Sequence, residues 1–290
     1  MSKKILIIFN PTAGRGKRTL LESVVSKLEQ AACDVEVYDT QCAGDAIQFL
    51  QAYDKPIDLI VAAGGDGTTN EVLNGMIGKE DIPLGIISSG TANVLAQELN
   101  MPSSAKAIAD ILVNGKSKPV YPCRLNDKRF IMMVGIGYDA WVVNGTSSAL
   151  KKSVGKGAYI WSMFKYVLPY GSKQYQIAVD GEQYNVPSMI VTNGKKYGGN
   201  FTISQKADIS APTMQALIFT STNRLTMIGY MLAMVFGIME RCTTLISVPA
   251  KRIEVSSNQP DVLQADGDPA GVLPAIMEIE ETPIKILVAA

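Results

Sequence analysis

The chain has 290 residues, 27 lysines and arginines against 27 aspartates and glutamates, and no histidine. That length accommodates two domains with a sizeable core, and the balanced charge supplies no basic field for nucleic acid. The missing imidazole excludes Ser-His-Asp and Cys-His catalysis and His-ligated zinc, leaving proton transfer to carboxylates, lysine, tyrosine or cysteine.

Residues 4–9 read as a first strand rather than a signal h-region, because Asn10-Pro11 cuts the apolar run ILIIF after five residues. The following NPTAGRGK (10–17) is glycine-rich and basic, as expected around phosphate oxygens. It is not a Walker A motif, since Pro11 stands where the first glycine should be. Leu20, Leu21, Val24, Val25 and Leu28 have helical spacing, which predicts a helix over 17–31. Residues 35–38 read as a second strand ending at Thr40, and Gly44-Asp45-Ala46 opens a helix running to Tyr53.

The apolar run 57–63 (IDLIVAA) reads as a buried strand of a parallel sheet, and it leads into Gly64, Gly65, Asp66, Gly67, Thr68, Thr69 and Asn70. A strand that ends in glycines and opens a helix presents backbone N–H groups and a dipole that favour an anion, most often a phosphate. Glycines let the backbone approach oxygens that a Cβ would hold away. A carboxylate beside phosphates is repulsive without an intervening cation, so Asp66 points to Mg²⁺ carried in with a nucleotide. The plainer reading is a tight turn with Asp66 as helix N-cap. Residues 83–87 form a fourth strand, followed by SSGTAN (88–93), a helix through Leu99, and a further helix over 103–113. This alternation predicts a doubly wound parallel sheet with ligands beyond the carboxyl ends of its strands. Asn10, Pro11, Thr12, Ala13, Gly14, Thr40, the 64–70 turn and Thr91 all fall at those ends.

After residue 116 the texture changes to short runs rich in Val, Ile, Tyr and Thr, at 129–137, 174–179, 186–193, 215–220 and 252–256. Asp180-Gly181 is a hairpin signal. The expected organisation is therefore an α/β nucleotide-binding domain over 1–116 and a mostly antiparallel β-sandwich over 117–283. Residues 284–288 form a last strand that either domain could accept. Two helices interrupt the second domain, at 157–168 and 225–241. Their Trp161, Met163, Phe164, Met227, Met231, Met234 and Phe236 read as ordinary core, or as an adaptable lining for acyl chains. The most apolar stretch, 225–239, is shorter than the roughly 20 residues a bilayer span needs, which predicts a buried or lipid-contacting helix. The turn Asp266-Gly267-Asp268 reads either as a hairpin facing water or, beside a nucleotide, as a general base with a second acid holding a cation. Cys33, Cys42, Cys123 and Cys242 lie far apart without a CxxC pair, which favours reduced thiols over zinc or disulfides.

At this point the chain resembles the lipid kinases that carry the diacylglycerol kinase catalytic domain, including soluble bacterial members and sphingosine kinases. The likeness runs through nearly the whole sequence: Asn10-Pro11 with Ala13-Gly14, Thr40 with Gly44-Asp45-Ala46, GGDGTTN at 64–70, and LGIISSGTANVLAQEL at 84–99. It continues in GIGYDA at 135–140, Asn193-Gly194 with Gly198-Gly199, and Asp266-Gly267. A GGDGT alone would equally fit NAD kinases and phosphofructokinases, whose first-domain fold is similar.

The resemblance implies an ATP-dependent kinase with its site in the cleft between two domains. It implies that Asn10 to Gly14, Thr40, Gly64 to Asn70 and Thr91 bind ATP, that Asp66 orients Mg²⁺, and that the base is Asp268, with Asp266 supporting its loop or a cation. The acceptor would be a lipid hydroxyl met at a membrane surface by a cytoplasmic enzyme, with a homodimer left open and no nucleic-acid partner. Two positions depart from the family pattern. The base is a glutamate in the family, and Asp268 is one methylene shorter; a misplacement of about 1 Å can cost roughly a hundredfold in rate. Ala211-Pro212 stands where the family often has Asp-Gly, which leaves Asp208 as the remaining side-chain candidate for a second metal site. These departures motivate an alternative, a catalytically weak nucleotide- or lipid-binding regulator, beside that of a soluble-metabolite (NAD-type) kinase.

Overall fold

A computed structural model describes residues 2–12, 17–145 and 165–289, and its backbone divides into two compact units, 1–122 with 281–290, and 123–280. In the first unit, strands β1 (Lys4–Phe9), β2 (Asp34–Asp39), β3 (Leu59–Gly64) and β4 (Leu84–Ser88) alternate with helices α1 (Lys17–Gln30), α2 (Asp45–Ala52), α3 (Asp66–Gly75), α4 (Val94–Glu98) and α5 (Ala105–Asn114). The strand order is β2-β1-β3-β4, all parallel, then Ile284–Val288 and β5 (Lys116–Val120), with Ile284–Val288 parallel to β4 and antiparallel to β5. The unit boundary thus falls beyond the expected residue 116, because β5 pairs into the first sheet rather than opening the second domain. β3 is buried along its whole length, which is why its sequence reads as an unbroken apolar run. Leu21, Val24 and Leu28 of α1 and Ile108, Ile111 and Leu112 of α5 pack against the sheet in one core. Ser104 caps α5, its hydroxyl accepting from the Ala107 N–H at 3.3 Å.

The second unit holds two six-stranded sheets whose strand pairings are all antiparallel, the C-terminal β-sandwich expected from the sequence. Val134 and Ile136 from one sheet meet Ile177, Ile253 and Met277 from the other in the core between them. The single strand expected over 129–137 is two strands, Lys128–Phe130 and Met133–Ile136, in different sheets. The run over 186–193 likewise splits at Pro187, which has no N–H to donate to a ladder. The helix expected over 225–241 ends sooner, at Val235, where Gly237 takes φ 65° and the Ile238 N–H returns to the Ala233 carbonyl. A short 3₁₀ turn, Met239–Arg241, follows. Residues 146–164, including most of the helix expected at 157–168 with Trp161, Met163 and Phe164, lie outside the described residues. No described helix is long and apolar enough to cross a membrane, and all four cysteines are free thiols.

One buried polar cluster ties the sandwich core together. The Asp261 carboxylate accepts from Trp141 Nε1 at 3.1 Å and from the Tyr175 hydroxyl, and Lys173 Nζ stands 3.1 Å away. Burial pushes the Asp261 pKa up, but the Tyr175 and Lys173 hydrogen bonds outweigh it and hold the carboxyl below the usual value. A depressed folded pKa means stability that is present above the unfolded value and lost as pH falls through the folded one. Asp261→Asn is therefore expected to cost about 2–3 kcal/mol at neutral pH, as for hydrogen bonds to a charged group. In thermal melts followed by circular dichroism, the gap from wild type should close as the pH falls below about 4.

Candidate active site

Parallel pairing brings the carboxyl ends of β1 to β4 to a single edge, so the turns that follow them must meet there. The main chain continues the ladder past each strand. The N–H of Asn10 donates to the Ala63 carbonyl at 3.0 Å, that of Thr40 to Phe9 at 2.8 Å, and that of Ser89 to Gly64 at 2.7 Å. Asn10 Nδ2 then donates to Thr68 Oγ1 at 3.2 Å, while Asn10 Oδ1 accepts from the Thr12 N–H and hydroxyl. The first and third turns are thereby fastened together.

The glycines do what the sequence requires of them. A Cβ on Gly90 would lie 2.6 Å from the Cα of Gly65, so the third and fourth turns touch backbone to backbone. Asp66 is the first residue of α3 rather than its N-cap, a position held by Gly65 without any side-chain bond. Its carboxylate instead reaches the neighbouring helix, accepting from the Val94 N–H at 2.6 Å at the start of α4. Asp66 thus fixes the turn that carries Thr91. Asn93, in the left-handed region at φ 49°, closes the same turn by accepting from the Gly90 N–H at 2.7 Å and donating to the Gly90 carbonyl at 2.9 Å. Glu71 ties in the second turn, accepting from the Gly44 N–H at 3.0 Å.

The residues of this edge sort by exposure. Thr40, Thr68 and Thr69 are buried, and the Thr69 hydroxyl donates to the Gly65 carbonyl, so these threonines brace the turns. Asn70 likewise turns toward its own helix, its carbonyl and Oδ1 accepting from Asn74 Nδ2. Pro11, Thr12, Gly67 and Thr91 are exposed at the rim. Ala13 and Gly14 lie outside the described residues.

In the second unit, Ala265 pairs with Asp268 across a two-residue turn in which Asp266 and Gly267 have φ 50° and 87°. This is the type I′ hairpin that an Asp-Gly pair favours, and Asp180-Gly181, at φ 48° and 95°, forms the same turn elsewhere in the sandwich. Asp266 serves as the fastener of this turn. Its carboxylate accepts from the N–H groups of Ile131, Met132 and Met133 at 2.9–3.0 Å, and its own N–H returns to the Met133 carbonyl. Those three donors sit where the expected 129–137 strand breaks, which explains the break. Asp268 follows the turn and is exposed.

Beneath the turn lies a relay that sequence reasoning did not assign. The Gly267 N–H donates to Gln264 Oε1 at 2.9 Å, Gln264 Nε2 donates to Asp139 Oδ2 at 2.6 Å, and the Tyr197 hydroxyl donates to Asp139 Oδ1. Asp139 and Gln264 are buried. A Cβ at Gly135 would stand 1.8 Å from Asp139 Oδ2, so the GIGYDA spacing is the signal that was available for this contact. Burial pushes the Asp139 pKa up, and the bonds from Tyr197 and Gln264 offset this only in part.

The expected cation ligands Asp66 and Asp208 belong to different units. Asp208 is exposed, its Oδ1 accepting from the Ser210 N–H at 3.0 Å. Among the described residues no three Cys, Asp or Glu side chains stand together as a metal group. Mg²⁺ is commonly held by one or two carboxylates plus substrate phosphates, a mode that asks for no protein-built cage and that a lone carboxylate such as Asp66 has the chemistry to serve.

Comparison with known proteins shows the family. Residues 4–125 match the diacylglycerol kinase catalytic domain, and residues 132–288 match the YegS C-terminal NAD kinase beta sandwich-like domain. A Bacillus subtilis protein named diacylglycerol kinase is 30% identical over 278 residues, covering 94% of this chain and 92% of its own. The chain belongs to the diacylglycerol kinase catalytic domain family. A Staphylococcus aureus relative of the same name is 31% identical over 284 residues, spanning 95% of this chain and 89% of its own. The crystal structure of a Bacillus anthracis diacylglycerol kinase superposes with a TM-score of 0.83 at 26% identity, over 99% of this chain and 97% of that one. A yeast NADH kinase shares the fold alone, with a TM-score of 0.54 at 11% identity, over 100% of this chain and 84% of that one.

Two variants test the fasteners. Asp266→Ala leaves three main-chain donors without their acceptor, which is expected to cost about 1–3 kcal/mol. Hydrogen exchange should show lost protection at the amides of Ile131, Met132 and Met133 in particular. Asp139→Asn can still accept from Gln264 Nε2, but its NH₂ then faces the Tyr197 hydroxyl, which must accept instead of donate, and the charge that strengthens the bond to Gln264, and through it the hold on the Gly267 N–H, is lost. The Gly267 amide resonance should therefore shift in Asp139→Asn while the Asp180-Gly181 turn stays unchanged.

Proposed function

We propose that the protein is an ATP-dependent lipid kinase that transfers the γ-phosphate to a hydroxyl of a lipid such as diacylglycerol. The observation that carries this reading is the coincidence of two devices: phosphate-suited turns pinned edge to edge in the first unit, and Asp268 presented on a rigid turn in the second. Both occur in a chain matched nearly end to end by proteins named diacylglycerol kinase. Phosphoryl transfer needs positioning and charge neutralisation more than covalent help. The start of α3, within the 64–70 turn, would present its N–H groups and dipole to the ATP phosphates, with the 10–14 turn and Thr91 lining the rim and Thr40 bracing the second turn. Asp66 would hold Mg²⁺, which supplies charge neutralisation on the phosphate oxygens.

In the step itself, Asp268 accepts the proton of the lipid hydroxyl, that oxygen bonds to the γ-phosphorus, and the bond from γ-phosphorus to the bridging oxygen breaks to release ADP. Asp266 holds the turn so that Asp268 is aimed, and it does not itself exchange a proton. An aspartate in the place of the family's glutamate is compatible with this only where the acceptor approaches closer by about one methylene.

The test is transfer of labelled phosphate from ATP, with Mg²⁺, to a panel of lipids in mixed micelles and to NAD. Turnover on a lipid is expected, with Asp268→Ala reducing kcat by about 10²–10⁴-fold and leaving ATP binding by calorimetry unchanged. Phosphate appearing on NAD and on no lipid would overturn the substrate class. A regulator without chemistry would bind ATP, turn nothing over, and gain nothing from Asp268→Glu.

A further inference from the structure

The helix Arg224–Val235 is apolar on both its buried and its exposed face. Met227, Tyr230 and Ala233 point into a core with Tyr170, Ile190 and Phe219. On the other side, Leu225 and Leu232 are 76% and 55% exposed, and Phe236, just beyond the helix, is 72% exposed. Residues 225, 229, 232 and 236 form one stripe at helical spacing, with Gly229 filling its second place.

The neighbouring segment adds to the same surface. Tyr170 donates to the Ser221 carbonyl at 2.7 Å, which lays the stretch from Lys165 to Ser172 beside the start of the helix, and Leu168 there is 68% exposed. Of eleven large hydrophobics exposed among the described residues, six lie on these two adjoining segments: Leu168, Leu225, Leu232, Val235, Phe236 and Ile238. Exposed apolar side chains are ordinarily scattered, and a contiguous group marks a surface that something else covers.

The charges around the patch say what that is. The stretches 165–172 and 221–241 carry Lys165, Arg224 and Arg241 against the single acid Glu240, in a chain whose charges balance overall. The Glu240 carboxylate is turned toward the chain, accepting from the N–H groups of Gln205 and Lys206. An apolar stripe rimmed by cations and poor in acids is the composition of a helix that lies in a membrane interface. At about 18 Å for a 12-residue helix, it is too short to span one.

We propose that the outer face of the helix Arg224–Val235, with Leu168 and Phe236, docks the protein on a lipid bilayer bearing anionic headgroups. The choice of occupant rests on the lipid-kinase reading, since an enzyme whose acceptor has acyl chains must meet it at such a surface.

The experiment measures co-sedimentation of the full chain with vesicles of phosphatidylglycerol and phosphatidylcholine, without diacylglycerol or ATP. Wild type should bind them, and bind vesicles of phosphatidylcholine alone at least about tenfold more weakly, since each basic side chain gains from the anionic surface. Leu225→Glu/Leu232→Glu should lower binding by about a hundredfold, from the lost burial of two leucines, with an unchanged thermal midpoint. The same variant should phosphorylate a water-dispersed short-chain diacylglycerol as wild type does and lose activity on vesicle-embedded diacylglycerol. Phe236→Trp, which keeps the patch apolar, should show a blue-shifted emission difference from wild type on adding vesicles. Wild type that ignores vesicles, a Leu225→Glu/Leu232→Glu protein that still binds them, or a Phe236→Trp emission that does not move would overturn the proposal. So would a wild-type dimer in sedimentation equilibrium that the double variant dissociates, because the occupant would then be a second copy. Vesicle binding lost in the variant, with no lipid of the panel phosphorylated by either protein, would sustain the docking surface and overturn the lipid-kinase reading instead.

Discussion

Carboxylates that accept main-chain N–H groups from distant segments hold the turns of each unit in shape. Asp66 takes the Val94 N–H from 28 residues away, and Asp266 takes three consecutive N–H groups from 133–135 residues away. A carboxylate offers about four acceptor directions at fixed geometry, so one such residue can fix a turn whose own backbone is only partly paired. The turns close partly through their own side chains, as Asn10 and Asn93 do, and partly through acids from elsewhere in the chain.

The same residues show why the site was only partly legible in sequence. The alternation of strand and helix, the buried run before Gly64 and the glycines at each strand end are local signals, and they locate the edge where four turns meet. The Asp-Gly pairs are local as well, and both form the hairpin turns their conformational preferences favour. What periodicity cannot show is which way a small polar side chain faces. Thr68 and Thr69 sit inside the phosphate-suited motif yet are buried against Asn10 and Gly65. Asp66 reads as a cap on its own helix and caps its neighbour's. The relay from Tyr197 through Asp139 and Gln264 to Gly267 joins segments up to 125 residues apart, and only Gly135 leaves a trace of it.

The boundaries went astray for a related reason. Lys116–Val120 (KSKPV) carries little strand signal of its own, and its hydrogen-bonding partner is Ile284–Val288 in the first sheet. The strand expected over 129–137 is interrupted because Asp266 draws off the amides of Ile131, Met132 and Met133. In each case a pairing over more than 130 residues overrode a local preference.

The position of Ile284–Val288 also bears on how the protein is made. That strand lies between β4 and β5, and it follows the whole of the second unit in sequence. On the ribosome the first four strands emerge early and can begin to associate, domain by domain, but β5 has no neighbour in its sheet until the later segment arrives. The phosphate-suited edge therefore sits on an unfinished scaffold throughout synthesis of the sandwich. The sheet that carries the turns of the first unit is in this way completed only after the second unit, with Asp268, has been made.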